Sequence, residues 1–209
     1  MLYGAWLGRM TAVGAAALLT AAQPPIRAHD VVAGAYLRNR LLASYVFSVH
    51  GTMQMRTFPW VRFPLDGTGV FKRGIRYEVH FARMPFFARA FRTVDLSALS
   101  PAMWRTHYRV SFAGFDGNDG LYVLSDPTDT ILRQAVVRVD PVQGIREIHL
   151  SYTNGGTIDM HIDCTTRHGY LLPEIASTRI DVPLARLAVR AAFTYREIVV
   201  DSSLGSTVR

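Results

Sequence analysis

The strongest constraint on the fold is a series of short runs between Thr106 and Val199, each rich in Val, Ile, Tyr and Thr. Within each run apolar and polar residues alternate or nearly alternate, so successive side chains point to opposite faces of a β-strand. The runs are THYRVSF, LYVLSDP, ILRQAVVRVD, IREIHLSYTN, TIDMHIDCTT, IASTRIDV and LAVRAAFTYREIV. They predict a sheet with one apolar face and one solvated face.

Turn-forming residues separate neighbouring runs. They lie at Asp116–Gly120, Asp126–Asp129, Asp140–Gly144 and Asn154–Gly156. Asn followed by Gly is the dipeptide that tight hairpin turns prefer. Because turns this short join antiparallel neighbours, the stretch is predicted to be a long antiparallel meander.

The clearest alternation lies upstream, in Ser44–Arg56, which places Tyr45, Phe47, Val49, Met53 and Met55 on one face. The run Val70–Phe81 repeats the pattern, with Ile75, Tyr77, Val79 and Phe81 on one face. Between the two runs, Asp66, Gly67 and Gly69 supply turn chemistry. The two runs are therefore predicted to form a long first hairpin.

Helical segments are few. Asp30 is the predicted N-cap of a short amphipathic helix over VVAGAYLRNRLLA, in which Val32, Tyr36 and Leu41 fall near helical spacing. The second candidate is the insert between Met84 and Arg105, which begins beside Pro85 and predicts a loop with one or two short helices. Its large apolar residues are Phe86, Phe87, Phe91, Leu96, Leu99, Met103 and Trp104. Two roles are open for it: a core plug on one side of the sheet, or a movable lid over an apolar cavity.

The N-terminus has the pattern of a secretory signal peptide over residues 1–22: a single charge at Arg9 and then the apolar run TAVGAAALLTAA. Cleavage is expected after Ala22 or nearer Ala28, and an uncleaved anchor is the alternative. Residues 23–29 are the predicted linker and 202–209 a flexible tail. Cys164 is the only cysteine, so the chain has no intramolecular disulfide, and none lies near the cleavage site to carry a lipid. An exported protein of this kind is expected in a bacterial periplasm.

Length limits the number of domains, and charge limits the kinds of partner. The 209 residues, of which 49% are hydrophobic, suffice for a single domain over residues 30–201. The net charge of +7 comes almost entirely from scattered arginines, with Lys72 the only lysine. No basic run accompanies a recognition helix, so nucleic acid is not expected as a partner. Anionic lipid headgroups or an acidic protein fit the charge equally well.

Residues that could carry chemistry are sparse. The segment HIDCTTRH brings His161, Asp163, Cys164 and His168 together, yet on a strand His161 and Asp163 share one face and Cys164 points to the other. The spacing matches no established zinc pattern. His50 and His80 could approach Asp66 or Glu78 as solvated surface groups. We therefore expect no enzyme activity, no metal and no cofactor.

The chain has more large apolar residues than its predicted helices can cover. The apolar face of Ser44–Arg56, Val70–Phe81 and the strand near Tyr108 has only about two short helices to cover it. Met and aromatic side chains adapt to irregular shapes, which suits a cavity for a lipid or an acyl chain; the alternative is a sheet that closes on its helices without a cavity. The candidate ligand-binding residues are Tyr45, Phe47, Val49, Met53, Met55, Ile75, Tyr77, Val79, Phe81, Phe86, Phe87, Phe91, Met103, Trp104, Tyr108, Val110 and Phe112.

The order of these segments resembles the LolA-like family. The resemblance covers about Asp30 to Asp201 and is carried by SYVFSVHGTMQMR, YRVSF, GLYVLSDP, GYLLPEI, RAAFTYREIVV and above all VDPVQGIREIHLSYTNGG from Val139 to Gly156. These are turns and strands that mark a fold rather than an activity.

The resemblance implies a mainly β (α+β) fold, in which the meander forms an unclosed β-barrel capped by short helices. It also implies a soluble carrier in the periplasm of a Gram-negative-type bacterium. Such a carrier holds lipid or lipoprotein acyl chains non-covalently on the inner faces that contain Tyr45 and Tyr77, and passes them to a partner in the envelope. The alternative is a ligand-free interaction or sensor module with the same fold. A monomer is expected, although Ser44–Arg56 could pair across a dimer if it were an edge strand.

Overall fold

The computed structural model describes residues 28–183 and 187–201. The predicted signal peptide, residues 23–27 of the predicted linker and the predicted tail lie outside the described residues. Within them, every helix is too short or too polar to cross a membrane.

One antiparallel sheet of 11 strands dominates the structure, in the order β4-β3-β2-β1-β11-β10-β9-β8-β7-β6-β5. The strands are β1 Ser44–Met55, β2 Arg62–Lys72, β3 Arg76–Phe81, β4 Thr93–Asp95, β5 Arg109–Asp116, β6 Asp119–Ser125, β7 Leu132–Asp140, β8 Gly144–Tyr152, β9 Thr157–Arg167, β10 Tyr170–Val182 and β11 Leu187–Asp201. The sheet is curved and unclosed, with β4 and β5 at its edges. The predicted mainly β fold, with an antiparallel meander and short helical caps, is confirmed.

The helical segments are short. They are α1 Ala28–Ala35, α2 Pro101–His107, and 3₁₀ helices at Leu37–Leu41, Phe86–Phe91 and Ser97–Leu99. The predicted N-cap at Asp30 is wrong, because α1 already begins at Ala28 and then changes to a 3₁₀ helix beyond Tyr36. The first of the 3₁₀ helices, Leu37–Leu41, is called the entry helix below.

The predicted first hairpin is wrong in its pairing. β1 pairs with β2, and β2 in turn pairs with β3, so Asp66, Gly67 and Gly69 lie inside a strand rather than in a turn. The two glycines occupy inward positions of β2. A Cβ at Gly69 would lie only 2.1 Å from Cζ of Phe47, so the ring of Phe47 fills the space that a side chain would need.

Strand β1 is a central strand. Its second neighbour is β11, paired from Ser44 opposite Asp201 to Met55 opposite Val189. The idea that Ser44–Arg56 offers a free edge for dimer pairing is therefore wrong. The meander turns at Asp116–Gly120, Asp126–Asp129, Asp140–Gly144 and Asn154–Gly156 are all found between strands, and Gly144 and Gly155 have the positive φ angles that such turns require.

The insert contributes to the core. Met103 is fully buried and Trp104 is 4% exposed. The indole Nε1 of Trp104 donates a hydrogen bond to the Ala98 carbonyl at 2.9 Å, and its ring lies 5.4 Å from that of Tyr122. Helix α2 is thus packed into the fold, whereas the short strand β4, which the sequence did not predict, extends the sheet beside β3.

Substitution of Gly69 by Ala is expected to lower the free energy of unfolding by about 1–3 kcal/mol, because the new methyl group overlaps the Phe47 ring. The measurement is equilibrium denaturation in urea. Gly34→Ala in α1 is the matched control, since nothing lies within 4 Å of the added Cβ and Ala favours a helix over Gly by about 1 kcal/mol. Equal stability of the two variants would contradict the close packing of the Phe47 ring over Gly69.

Candidate functional site

The interior of the sheet contains a large cavity of about 790 Å³. Its walls are the inner face of the sheet, the entry helix and α2. The apolar lining includes Val32, Tyr36, Leu42, Tyr45, Phe71, Tyr77, Trp104, Val110, Tyr122, Ile145, Ile162 and Leu171, and three arginines, Arg40, Arg73 and Arg105, also border it. A volume in this range suits a ligand of the size of a lipid chain, since ligand pockets span roughly 300–1,000 Å³.

Specific hydrogen bonds fix the entry helix over this cavity. The Asn39 side chain donates to the Leu171 carbonyl at 2.7 Å and accepts from the Leu171 amide at 2.8 Å. The Ile145 amide donates to the Tyr36 hydroxyl at 3.0 Å. On the other side, Nε of Arg73 donates to the Leu42 carbonyl at 2.8 Å. These bonds hold one wall of the large cavity between β10, β8 and the β2–β3 turn.

An aromatic cluster formed by Tyr45, Phe47, Phe71, Tyr77 and Tyr195 crosses the interior. Tyr45 stacks on Phe71 with ring centroids 5.0 Å apart, and Phe47 lies 5.3 Å from Tyr195. The hydroxyls of Tyr45 and Tyr77 are hydrogen-bonded to each other at 2.9 Å. Burial raises the pKa of both hydroxyls well above the ordinary value, so both stay protonated.

Beyond the aromatic cluster lies a small cavity of about 100 Å³. Its lining is almost entirely apolar and includes Val49, Met53, Leu65, Val79, Phe81, Met84, Ala88, Phe91, Leu96, Met160, Phe193 and Tyr195. Because Tyr45 and Tyr77 line the large cavity and Tyr195 lines the small one, the aromatic cluster separates the two compartments.

The predicted ligand-binding residues divide between these compartments. Tyr45, Tyr77, Trp104 and Val110 border the large cavity, whereas Val49, Met53, Val79, Phe81 and Phe91 border the small one, and Phe47 stands in the cluster between them. Met103 is packed in the core, and Met55 and Tyr108 are half-buried. The side chains of Phe86 and Phe87 lie outside the described part of the structure.

Two predicted residues sit away from the interior. Ile75 belongs to the turn before β3 and is 58% exposed, so its predicted place on the apolar face of a strand is wrong. Phe112 lies on the edge strand β5, partly exposed, where its ring packs against those of Phe115 and Tyr122.

Several residues that form the large cavity were missed in the sequence. Tyr122 and Ile162 lie at inward positions that the alternation of the meander predicts. The sequence did not show that they share a site with Tyr45, because they are far from it along the chain. Phe71 was missed because two inward positions before it are glycines, which hides the period of β2. The three bordering arginines come from segments with no common sequence signal.

The catalytic candidates diverge as the strand pattern predicted. His161 Nε2 and Asp163 Oδ1 are 3.6 Å apart on the outer face, whereas Cys164 borders the large cavity with its Sγ 4.0 Å from the Ile145 carbonyl oxygen. Burial raises the pKa of the Cys164 thiol to about 12, which keeps it in the unreactive protonated form. In the described ranges, no group of three or more His, Cys, Asp or Glu side chains could hold a metal ion.

The two candidates from the first strands, His50 and His80, make ordinary surface contacts. Nδ1 of His50 lies 2.9 Å from a carboxylate oxygen of Asp66 on the neighbouring strand β2. His80 contacts the Thr93 hydroxyl at 3.1 Å, while Glu78 pairs with Arg76. The predicted approach of His50 to Asp66 is therefore confirmed.

The free energy of unfolding is expected to fall as the pH rises above about 9. The unfolded chain ionises Cys164 near its ordinary pKa of 9.0 and its tyrosines near 10.0, whereas burial raises the pKa values of Cys164, Tyr36, Tyr45, Tyr77 and Tyr195 in the folded protein. A raised native pKa stabilises the protein below the unfolded pKa, and this stabilisation is lost at higher pH.

Urea denaturation between about pH 8 and pH 11 measures this effect. In Cys164→Ala the first part of the decline, which starts nearest pH 9, is expected to be smaller because the thiol no longer contributes. A free energy of unfolding that stays constant to about pH 11 would show that these groups are not buried.

Comparisons with known proteins show the fold. No family model and no curated protein matches the sequence. A LolA superfamily protein from Nitrosomonas europaea is 10% identical with a TM-score of 0.56, covering 84% of this chain and 94% of that one. A DUF1329 family protein from Desulfovibrio piger is 8% identical with a TM-score of 0.53, covering 87% and 95%.

A third structure, from Vibrio parahaemolyticus and named for outer membrane lipoprotein sorting, is 9% identical with a TM-score of 0.52 and covers 85% of this chain and 95% of that one. The likeness extends over nearly the whole of each neighbour. This chain therefore has a LolA-like fold, as the sequence predicted, built as a curved unclosed sheet around an apolar interior.

Proposed function

We propose that the protein is a periplasmic carrier that binds a lipid, or the acyl chains of a lipoprotein, non-covalently in the large cavity. The observation that carries the proposal is a cavity of about 790 Å³ lined mainly by apolar and aromatic side chains. The name of the Vibrio neighbour, which refers to lipoprotein sorting, agrees with it.

The energetics fit a carrier. Each buried methylene contributes roughly 0.8 kcal/mol, so affinity grows with the length of chain that enters the cavity. Leu37 is 65% exposed and Val110 is 42% exposed, and both border the large cavity. These two exposed apolar groups are the proposed point at which a chain enters the interior.

A ligand-free interaction module with the same fold is the alternative function. Such a module needs no continuous interior space, because its sheet can close directly on its helices. The volume of the large cavity favours the carrier over the module. In either role the protein acts without covalent chemistry, in keeping with the protonated thiol of Cys164.

The first test fills the cavity. Ala102 lies on α2 and borders the large cavity, so Ala102→Trp is expected to weaken binding of a fluorescent fatty acid by about tenfold or more, since the indole occupies the space that the chain needs. Ala113→Trp on the exposed strand β5 is the matched control and is expected to bind like the wild type. Thermal denaturation of both variants checks that they fold.

Native mass spectrometry of the protein isolated from the periplasm gives the complementary readout. We expect a bound lipid mass in the wild type and in Ala113→Trp, and less of it in Ala102→Trp. Wild-type protein that carries no lipid and also binds no fluorescent fatty acid would exclude the carrier.

The second test uses Cys164 as a reporter of the large cavity, since it is the only cysteine. Alkylation by iodoacetamide is expected to be slow because of the raised pKa, and slower still when a fatty acid is bound. The control is Thr153→Cys in a Cys164→Ala background, which places the thiol in the exposed β8–β9 turn, where the fatty acid should leave its rate unchanged. An equal alkylation rate of Cys164 with and without a saturating fatty acid would place the ligand elsewhere.

A further inference from the structure

Three arginines border the large cavity from three different parts of the chain. Arg40 lies in the entry helix, Arg73 in the β2–β3 turn and Arg105 in α2. All three are exposed to solvent, so they stand at the mouth of the cavity rather than within it. Among the described residues, those that line the cavity include no Asp, Glu, Lys or His. The charged side chains described at the mouth of this mainly apolar compartment are therefore all positive.

Within the part of the chain that the structure describes, the three arginines at the mouth keep their full charge. Four described arginines elsewhere on the surface form ion pairs, among them Arg56 with Asp181 at 2.7 Å and Arg167 with Glu174 at 2.7 Å. Among the side chains that the structure describes, no carboxylate forms an ion pair with Arg40, Arg73 or Arg105. Like charges gathered around an opening raise the positive potential there, and a bound anion relieves this repulsion.

Arg73 is held in place by neutral groups. Its Nε donates to the Leu42 carbonyl, and its Nη2 donates to the Asn39 carbonyl. Asn39 lies within the entry helix and Leu42 directly follows it, so the guanidinium is fixed at the edge of the cavity while its charge is retained. Five N–H donors are present in a guanidinium, and those on Nη1 remain for a ligand. A planar guanidinium matches the geometry of a carboxylate or a phosphate.

We propose that the ligand of the large cavity is an amphiphile with an anionic headgroup, a carboxylate or a phosphate, that is bound by Arg40, Arg73 and Arg105 while its acyl chain lies against the aromatic cluster. This inference rests on the proposed carrier function and goes beyond it, because acyl chains alone do not require a charged mouth. The apolar lining supplies affinity in proportion to chain length, and the arginines select the headgroup.

The test compares pairs of ligands that have the same chain and differ in charge. Palmitate is paired with hexadecanol, and lysophosphatidic acid with monopalmitoylglycerol, each titrated by displacement of a neutral fluorescent acyl probe. We expect at least one anion to bind about tenfold or more tightly than its neutral partner. We also expect this preference to shrink as the ionic strength rises from about 0.01 M to about 0.5 M. The pair that shows the larger preference identifies carboxylate or phosphate as the headgroup.

Arginine variants test whether these three side chains cause the preference for anionic ligands. The double variant Arg40→Gln/Arg105→Gln leaves the bonds of Arg73 to the entry helix intact and is expected to remove most of the preference without changing the affinity for hexadecanol. Arg73→Gln is expected to act in the same direction. Arg133→Gln, on the exposed face of β7 and away from the cavity, is the matched control and should keep the full preference.

The outcomes separate the two proposals. If neither member of any pair binds, the carrier function itself fails. If anionic and neutral ligands bind equally well in both pairs, the carrier stands and the anionic headgroup is excluded. A preference that survives unchanged in the double variant and in Arg73→Gln would likewise overturn the role of these arginines.

Discussion

The pairing of β1 with β11 is the interaction on which the rest of the structure depends. It joins the first long strand to the last, in a register from Ser44 opposite Asp201 to Met55 opposite Val189. Without this pairing, the four strands β1–β4 would be separate from the meander β5–β11, and no shared interior would exist. Contacts between such distant parts of the chain form only after a large loop is closed, which makes this kind of topology slow to fold.

Irregularities in the pairing bend this sheet around its interior. Between Val46 and Ser48, β11 carries one extra residue; there Glu197 adopts a positive φ of 50° and accepts a hydrogen bond from the Ser48 hydroxyl at 2.6 Å. The bulge lets Tyr195 and Ile198 both face inward although they are three residues apart. Curvature at this point brings Tyr195 against Phe47 and completes the aromatic cluster.

The interior combines apolar surface with a few polar groups, several of which are hydrogen-bonded. The Tyr45 and Tyr77 hydroxyls pair, the Tyr36 hydroxyl accepts from the Ile145 amide, and the Cys164 thiol stays protonated. Among the described residues that line the large cavity, the charged ones stand at its mouth, where water screens them. This division, with neutral walls inside and arginines outside, is the physical basis for proposing a carrier of amphiphilic molecules rather than an enzyme.

The sequence by itself determined the local elements. Alternation and turn residues placed the strands of the meander, Asn154-Gly155 placed a tight hairpin, and alternation in β1 identified Tyr45, Phe47, Val49 and Met53 as inward-facing. The same rule put Cys164 on the face opposite His161. These features follow from the twofold period of a strand and from turn chemistry, which act over a few residues.

Only the tertiary structure decided how these elements meet. Gly67 and Gly69 resemble turn residues locally, yet they belong to a strand because the Phe47 ring needs the space above Gly69. The β1–β11 pairing depends on hydrogen bonds between segments more than a hundred residues apart, which no local pattern encodes. The arginine mouth likewise arises because the entry helix, the β2–β3 turn and α2 are brought to one opening by the curvature of the sheet. Burial, register and the convergence of charge are properties of the assembled chain, since each depends on contacts that exist only after folding.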